Sequence, residues 1–226
     1  RHGTMQVWPR KRANRPQARV RSWVTSKEPG ILGFAGFKAG MTRIRATDAH
    51  KTSMHKGEEI SIPATILECP PIKIYSARAY TKVNGMLRVA KEVVVGKDKH
   101  LFRKLMTKKA SDTKALDNFL SDDIVDITIL VLTQPSATGI GRKKPDVVEM
   151  HLGGSNEEKI NYIKETLVSG IKVSEVLKEG DYVDFHAITT GKGYQGSVKR
   201  FGVSLKHHKS EKGVRRVGAL GSWKSQ

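Results

Sequence analysis

The stretch KIYSARAYTKVNGMLRVAKEVVV, residues 73–95, decides the fold. Two runs, Ile72 to Val83 and Met86 to Val95, flank Asn84-Gly85, the strongest short-range hairpin signal available. The spacing predicts two antiparallel strands joined by a two-residue loop. Upstream, Ile60, Ile62, Ala64 and Ile66 alternate with Ser61, Pro63, Thr65 and Leu67. That is the mark of a half-buried strand whose proline belongs at an edge. Further upstream, ILGFAGFKAGMTRI (31–44) reads as strand, turn, strand, with Gly33, Gly36 and Gly40 as punctuation. By Val95 the chain has four or five antiparallel-type strands, the start of an all-β body.

The pattern changes after Gly96. Asp98 can cap a helix carrying Leu101, Phe102, Leu105 and Met106 on one face, and Leu116, Phe119 and Leu120 suggest a second helical turn. IVDITILVL (124–132) is nearly continuously apolar, so it reads as a strand covered on both faces. Ser155 and Glu158 form a capping box ahead of Ile160, Ile163 and Leu167, and Gly170 stops that helix. Ser174 to Lys178 reads as a short helix ended by Gly180, and Tyr182 to Thr189 resumes alternation and predicts a return to the sheet. The expected class is mainly β with an α/β insert (α+β). The expected division is a basic arm (1–28), a first β part (29–96), the insert (97–178), a further strand (179–190) and a basic glycine-rich loop (191–226).

At 38% hydrophobic the chain can build a core, and no apolar run approaches the roughly 20 residues of a membrane helix. The amino end lacks the charged, apolar and small-residue succession of a secretory signal. Cys69 is the only cysteine, which excludes an internal disulfide and a thiolate-based metal site. A soluble, cytoplasmic protein is expected, with no membrane partner. The net charge is +19, and its distribution matters more than its size. Residues 1–21 hold seven Arg or Lys and no acid; residues 192–226 hold nine against Glu211 alone. Folding gains nothing from clustering like charge, so two cationic segments on a near-neutral body point to a polyanionic partner.

Gly191, Gly193 and Gly196 spell GxGxxG, and Val198 extends it to a kinase-like glycine loop. A dinucleotide site needs that motif to open an apolar helix, with an acid about 20 residues on. SVKRFGVSLKHHK follows instead, and Glu211 comes early. A kinase needs a lysine strand, a catalytic loop and a metal-binding aspartate, and the 28 residues after Val198 hold none of them. A nucleotide-dependent enzyme using Gly191–Gly196 is therefore the weaker alternative, with a free-standing nucleic-acid binder as the other. No cofactor and no small-molecule substrate are expected. His50 and His55 lack a third ligand nearby, and Asp122, Asp123 and Asp126 read as a solubilising turn better than as a magnesium site.

The glycines serve a backbone that leaves a sheet sharply and lets phosphates approach. Lys192, Lys199, Arg200, Lys206, Lys209, Lys212, Arg215, Arg216 and Lys224 then supply phosphate contacts, and His207 and His208 can bond riboses or bases. In the arm, Arg10, Lys11, Arg12, Arg15, Arg19 and Arg21 do the same, while Trp8 and Trp23 either stack on bases or pack on the body. RNA is favoured over DNA, because no helix in these segments could fill a major groove, whereas folded RNA offers crevices for thin loops.

PRKRA (9–13), LGFAGFKAGMT (32–42) and TTGKGYQGSVKRFGV…GVRRVGALGSW resemble the large-subunit ribosomal protein number three family, in its archaeal and eukaryotic branch. The resemblance runs nearly end to end. It implies a translation-protein-type six-stranded β-barrel with long basic extensions. It also implies binding to large-subunit ribosomal RNA beside neighbouring ribosomal proteins, a part in early assembly, and no catalysis. Trp223 matches the family's loop-tip tryptophan near the peptidyl transferase centre. The family continues past that tryptophan with strands that complete the barrel, so a chain lacking its carboxyl part is expected here. Glu211 stands where eukaryotic members carry a modifiable histidine, so that modification is not carried over.

Overall fold

A computed structural model of the chain describes residues 10–106, 113–119 and 123–221. It divides into two compact units, one of Arg1–Ala18 with Ala187–Gln226 and one of Arg19–His186. The second holds every strand among the described residues: β1 (Gly30–Ile31), β2 (Phe37–Thr47), β3 (Glu59–Glu68), β4 (Lys73–Val83), β5 (Met86–Val94), β6 (Asp126–Leu132) and β7 (Val147–Gly153). Helices α1 (Asn156–Ser169) and α2 (Val173–Val176) complete it, and α3 (Ser197–Phe201) lies in the other unit.

β4 and β5 form the expected hairpin. Asn84 at φ 50° and Gly85 at φ 79° take the two positive corners that a type I′ turn demands. β4 then pairs on its other side with β6, Ala77 facing Ile129, and β6 pairs with β7, Ile129 facing Met150. The result is an antiparallel sheet in the order β1-β7-β6-β4-β5. β6 is the strand covered on both faces: every residue from Ile127 to Leu132 is buried. On one face Ile74, Ala77, Ala79, Ile127, Ile129, Val131, Met150 and Leu152 pack with Ile160 and Ile163 of α1 and with Leu116 and Phe119. On the other, Tyr75, Leu130 and Leu132 pack with Leu101.

α1 begins where the sequence marks it. The Glu158 amide donates to Ser155 Oγ (3.4 Å), and the Ser155 amide donates to Glu158 Oε2 (2.8 Å), closing the capping box. Gly170, at φ 70°, ends the helix. The segment after Asp98 winds only a single 3₁₀ turn, Leu101–Arg103. Asp98 does not cap it: the turn's N-cap is His100, with no side-chain cap bond, and Asp98 instead accepts from the His100 amide at 2.8 Å just ahead of the turn while binding Lys73. Leu101 is buried and Leu105 half-buried against the same cluster, while Phe102 and Met106 stay exposed, so the segment had too little to bury to hold a longer helix. Leu120, expected in the next turn, lies outside the described residues.

Three expectations are corrected. Among the described residues no closed six-stranded barrel forms: β2 and β3 pair only with each other, apart from the five-stranded sheet. Residues 97–178 are not an insert separate from the β body, because β6 and β7 are strands of the same sheet as β4 and β5. The strand at 179–190 does not form; Tyr182 and Phe185 are exposed there, and Val183, Phe185 and Ala187 meet no partner strand. Alternation specifies two faces, but a strand also needs a neighbour for its backbone groups. β5 accordingly keeps one edge unpaired among the described residues, and Leu87 and Val89 on it are half exposed.

Polar side chains fix the outer face of the sheet. Arg78 donates to Glu92 (2.8 Å) and Glu149 (3.4 Å), Ser76 donates to Glu92, and Tyr80 and Thr128 donate to Glu149. Asp126 is no surface turn residue: it accepts from Lys159 of α1 (2.6 Å) and lies 3.3 Å from His151. Burial alone raises its carboxyl, yet the bonds from His151 and Lys159 outweigh burial and hold it below the usual range. A depressed folded-state value contributes stability above the unfolded value, near pH 4, and loses it as pH falls through the folded one. Asp126→Asn is therefore expected to cost about 2 kcal/mol at neutral pH and less below about pH 4, read by urea unfolding across pH. An equal cost at every pH would show that the charge plays no part.

Candidate nucleic-acid interface

The first unit is basic by composition. Arg1–Ala18 and Ala187–Gln226 together hold fourteen Lys or Arg against Glu211 alone, whereas Arg19–His186 holds twenty-seven against twenty-one acids. The contrast deepens with the partners of those charges. In the sheet unit Lys73, Arg78, Arg142, Lys159 and Lys164 each meet a carboxylate within 3.0 Å. Among the described residues of the basic unit, no Lys or Arg forms an ion pair within the chain. Arg10, Lys11, Arg12, Arg15, Lys192, Lys199, Arg200, Lys209, Lys212, Arg215 and Arg216 are exposed, and Lys206 is half-buried. Trp223 and Lys224 lie outside the described residues, as does Trp8.

Glycine shapes the loop as its backbone requires. Gly193, Gly202 and Gly213 sit at φ 56°, 69° and 91°, values that a side chain resists. α3 starts after Gly196 and stops at Gly202, whose amide bonds to the Val198 carbonyl at 3.1 Å. A second tie joins the Lys206 amide to the Val214 carbonyl at 3.0 Å, and inside it the His207 and His208 rings lie 4.2 Å apart. At five residues α3 cannot fill a major groove, and no strand precedes Gly191, so the dinucleotide context is absent from GxGxxG.

The sequence reading did not single out Tyr194 and Phe201. Tyr194 is fully exposed, Phe201 is half exposed beneath the Arg200 guanidinium at 5.2 Å, and Leu205 and Leu220 are exposed nearby in sequence. Aromatic and aliphatic groups interleaved with cations suit unstacked bases beside a phosphate backbone. The available signal was an aromatic residue in a stretch with nothing to pack against.

The arm does not act as one piece. Arg19 and Arg21 fall in the sheet unit, where Trp23 stacks on His151 with ring centroids 5.5 Å apart. A Cβ on Gly33 would lie 2.8 Å from the Trp23 ring, so Gly33 is what admits it. Trp23 thus packs on the body, which settles the choice left open for it. In the hairpin loop, His55 pairs with Glu58 and His50 with Thr52, and no group of three potential metal ligands occurs among the described residues.

The whole chain, residues 1–226, matches the family described as Ribosomal protein L3. It is 40% identical over 230 residues to the large ribosomal subunit protein uL3 of Methanobrevibacter smithii, covering 99% of this chain and 68% of that protein. Methanosphaera stadtmanae uL3 is 41% identical over 231 residues, with the same two coverages. Archaeoglobus fulgidus uL3 is 40% identical over 229 residues, covering 99% and 69%. These relatives are archaeal, in keeping with the branch that the sequence resembles. The chain belongs to the ribosomal protein L3 family, as a structural constituent of the large ribosomal subunit and not an enzyme.

Proposed function

We propose that this chain binds large-subunit ribosomal RNA through residues 1–18 and 187–226, supports early assembly of the subunit, and shapes the surroundings of the peptidyl transferase centre through a loop tipped by Trp223. The proposed partners are that RNA and neighbouring large-subunit proteins, within cytoplasmic ribosomes. The observation that carries the reading is the set of exposed cations on one unit that have no carboxylate partner among the described residues. Such charge repels itself until phosphates approach, and release of condensed counterions then favours binding.

Integral placement is tested by sedimentation with large subunits through high salt. Retention is expected, whereas a protein that washes off like any polycation is a free-standing nucleic-acid binder. Trp223→Ala is expected to leave subunits assembled but to change tRNA accommodation or antibiotic response. Subunits that fail to assemble would make Trp223 a folding residue instead.

A further inference from the structure

The end of α3 gathers cations from both segments of the basic unit. Lys192 Nζ donates to the Lys199 carbonyl at 2.8 Å, bridging back across the glycine turn. Arg10, from the arm, donates through Nη1 to the Arg200 carbonyl at 3.4 Å. Lys199 and Arg200 are themselves in the last turn, and Arg200 lies over Phe201. Two positive side chains, Arg10 and Lys192, are therefore held at the terminus on which Lys199 and Arg200 stand, and none of the four has a carboxylate partner among the described residues.

The geometry holds these groups without using them up. Carbonyls at a helix C-terminus accept readily from Lys and Arg, so the two bonds fix the direction of each side chain. A guanidinium has five N–H donors and an ammonium three, so most remain free after one bond each. Two pinned cations with spare donors, beside two more on the same short helix, present an array for an anion, and holding them together without one is unfavourable.

We propose that this terminus is a phosphate-binding clasp to which the arm lends Arg10 and the loop lends Lys192, Lys199 and Arg200, so that arm and loop close on the same stretch of RNA backbone. The inference rests on the RNA-binding reading and adds a coupling to it. The arm supplies more than charge: Arg10 is a strut of the loop's site, and Lys192 a strut of the arm's.

The test is a double-mutant cycle on the full chain, with Arg10→Ala, Lys192→Ala and the pair, using filter binding to transcribed large-subunit ribosomal RNA. Each single change is expected to lower affinity about tenfold at roughly 0.1 M salt, as for one phosphate contact. The double variant is expected to fall well short of the product, because losing one strut already opens the clasp. Trypsin cleavage within residues 10–21 of the RNA-bound protein is expected to speed up in Lys192→Ala, although that residue is in the loop. A hundredfold loss in the double variant, or unchanged cleavage, overturns the clasp while leaving RNA binding intact. A wild-type chain that does not bind this RNA overturns the functional reading itself.

Discussion

A chain with Lys199, Arg200, Lys206, Lys209, Arg215 and Arg216 all replaced by alanine is expected to lose about four orders of magnitude in RNA affinity at roughly 0.1 M salt. These six stand on a unit whose only acid is Glu211, and none has a carboxylate partner among the described residues. Each phosphate neutralised contributes about 0.7–0.9 to the slope of log affinity against log salt, so the slope should become shallower by about four to five. Removing Arg215 and Arg216 alone should flatten it by about two. The sheet unit has its own carboxylate-paired charges and should keep its circular dichroism and unfolding midpoint. A loss under tenfold, with the slope unchanged, would place the RNA contacts elsewhere on the molecule.

Phe119→Ala is expected to cost about 3–5 kcal/mol of stability, the range for emptying a large buried aromatic site. Phe119 is fully buried in the cluster that joins the sheet to α1, beside Leu116, Ile127 and Ile163. Its loss removes apolar burial and leaves a cavity that the sheet, tied by Arg78, Glu92 and Glu149 on its other face, cannot readily collapse around. Urea unfolding should show a lower midpoint with an unchanged slope, and RNA affinity per folded molecule should stay near wild type. A cost below about 1 kcal/mol would mean that Phe119 sits in a site able to repack.

Features written in short windows were legible. Asn84-Gly85 announced its hairpin because φ is positive at both corners. Ser155 and Glu158 announced α1 because the capping box is complete within four residues. The apolar run ending at Leu132 announced a strand buried on both faces. What joins those pieces was not local. β6 meets β4 across a separation of about fifty residues, in a register set by packing, so residues 97–178 read as an insert when they supply the sheet's own strands. The alternation at 182–189 carried no information about a partner, and none is present among the described residues.

The interface was legible in one respect and opaque in another. Like charge concentrated at two ends of the sequence survives into the structure, because Glu211 is the single acid set among fourteen Lys or Arg there. Which cations would be consumed by folding could not be seen. Arg78 and Lys159 are as basic in the sequence as Arg10 and Lys192, yet the first two serve Glu92, Glu149 and Asp126 within the sheet unit. Nor could α3 be foreseen, since a five-residue turn between Gly196 and Gly202 is too short to show a period.

The most direct test of RNA binding by the basic unit is ultraviolet crosslinking of the full chain bound to large-subunit ribosomal RNA, with the joined peptides mapped by mass spectrometry after a high-salt wash. Crosslinks are predicted within residues 10–18 and 187–221, with Tyr194 and Phe201 among the joined side chains. Crosslinks concentrated on β4, β5 and β6, with the basic unit free, would contradict the account.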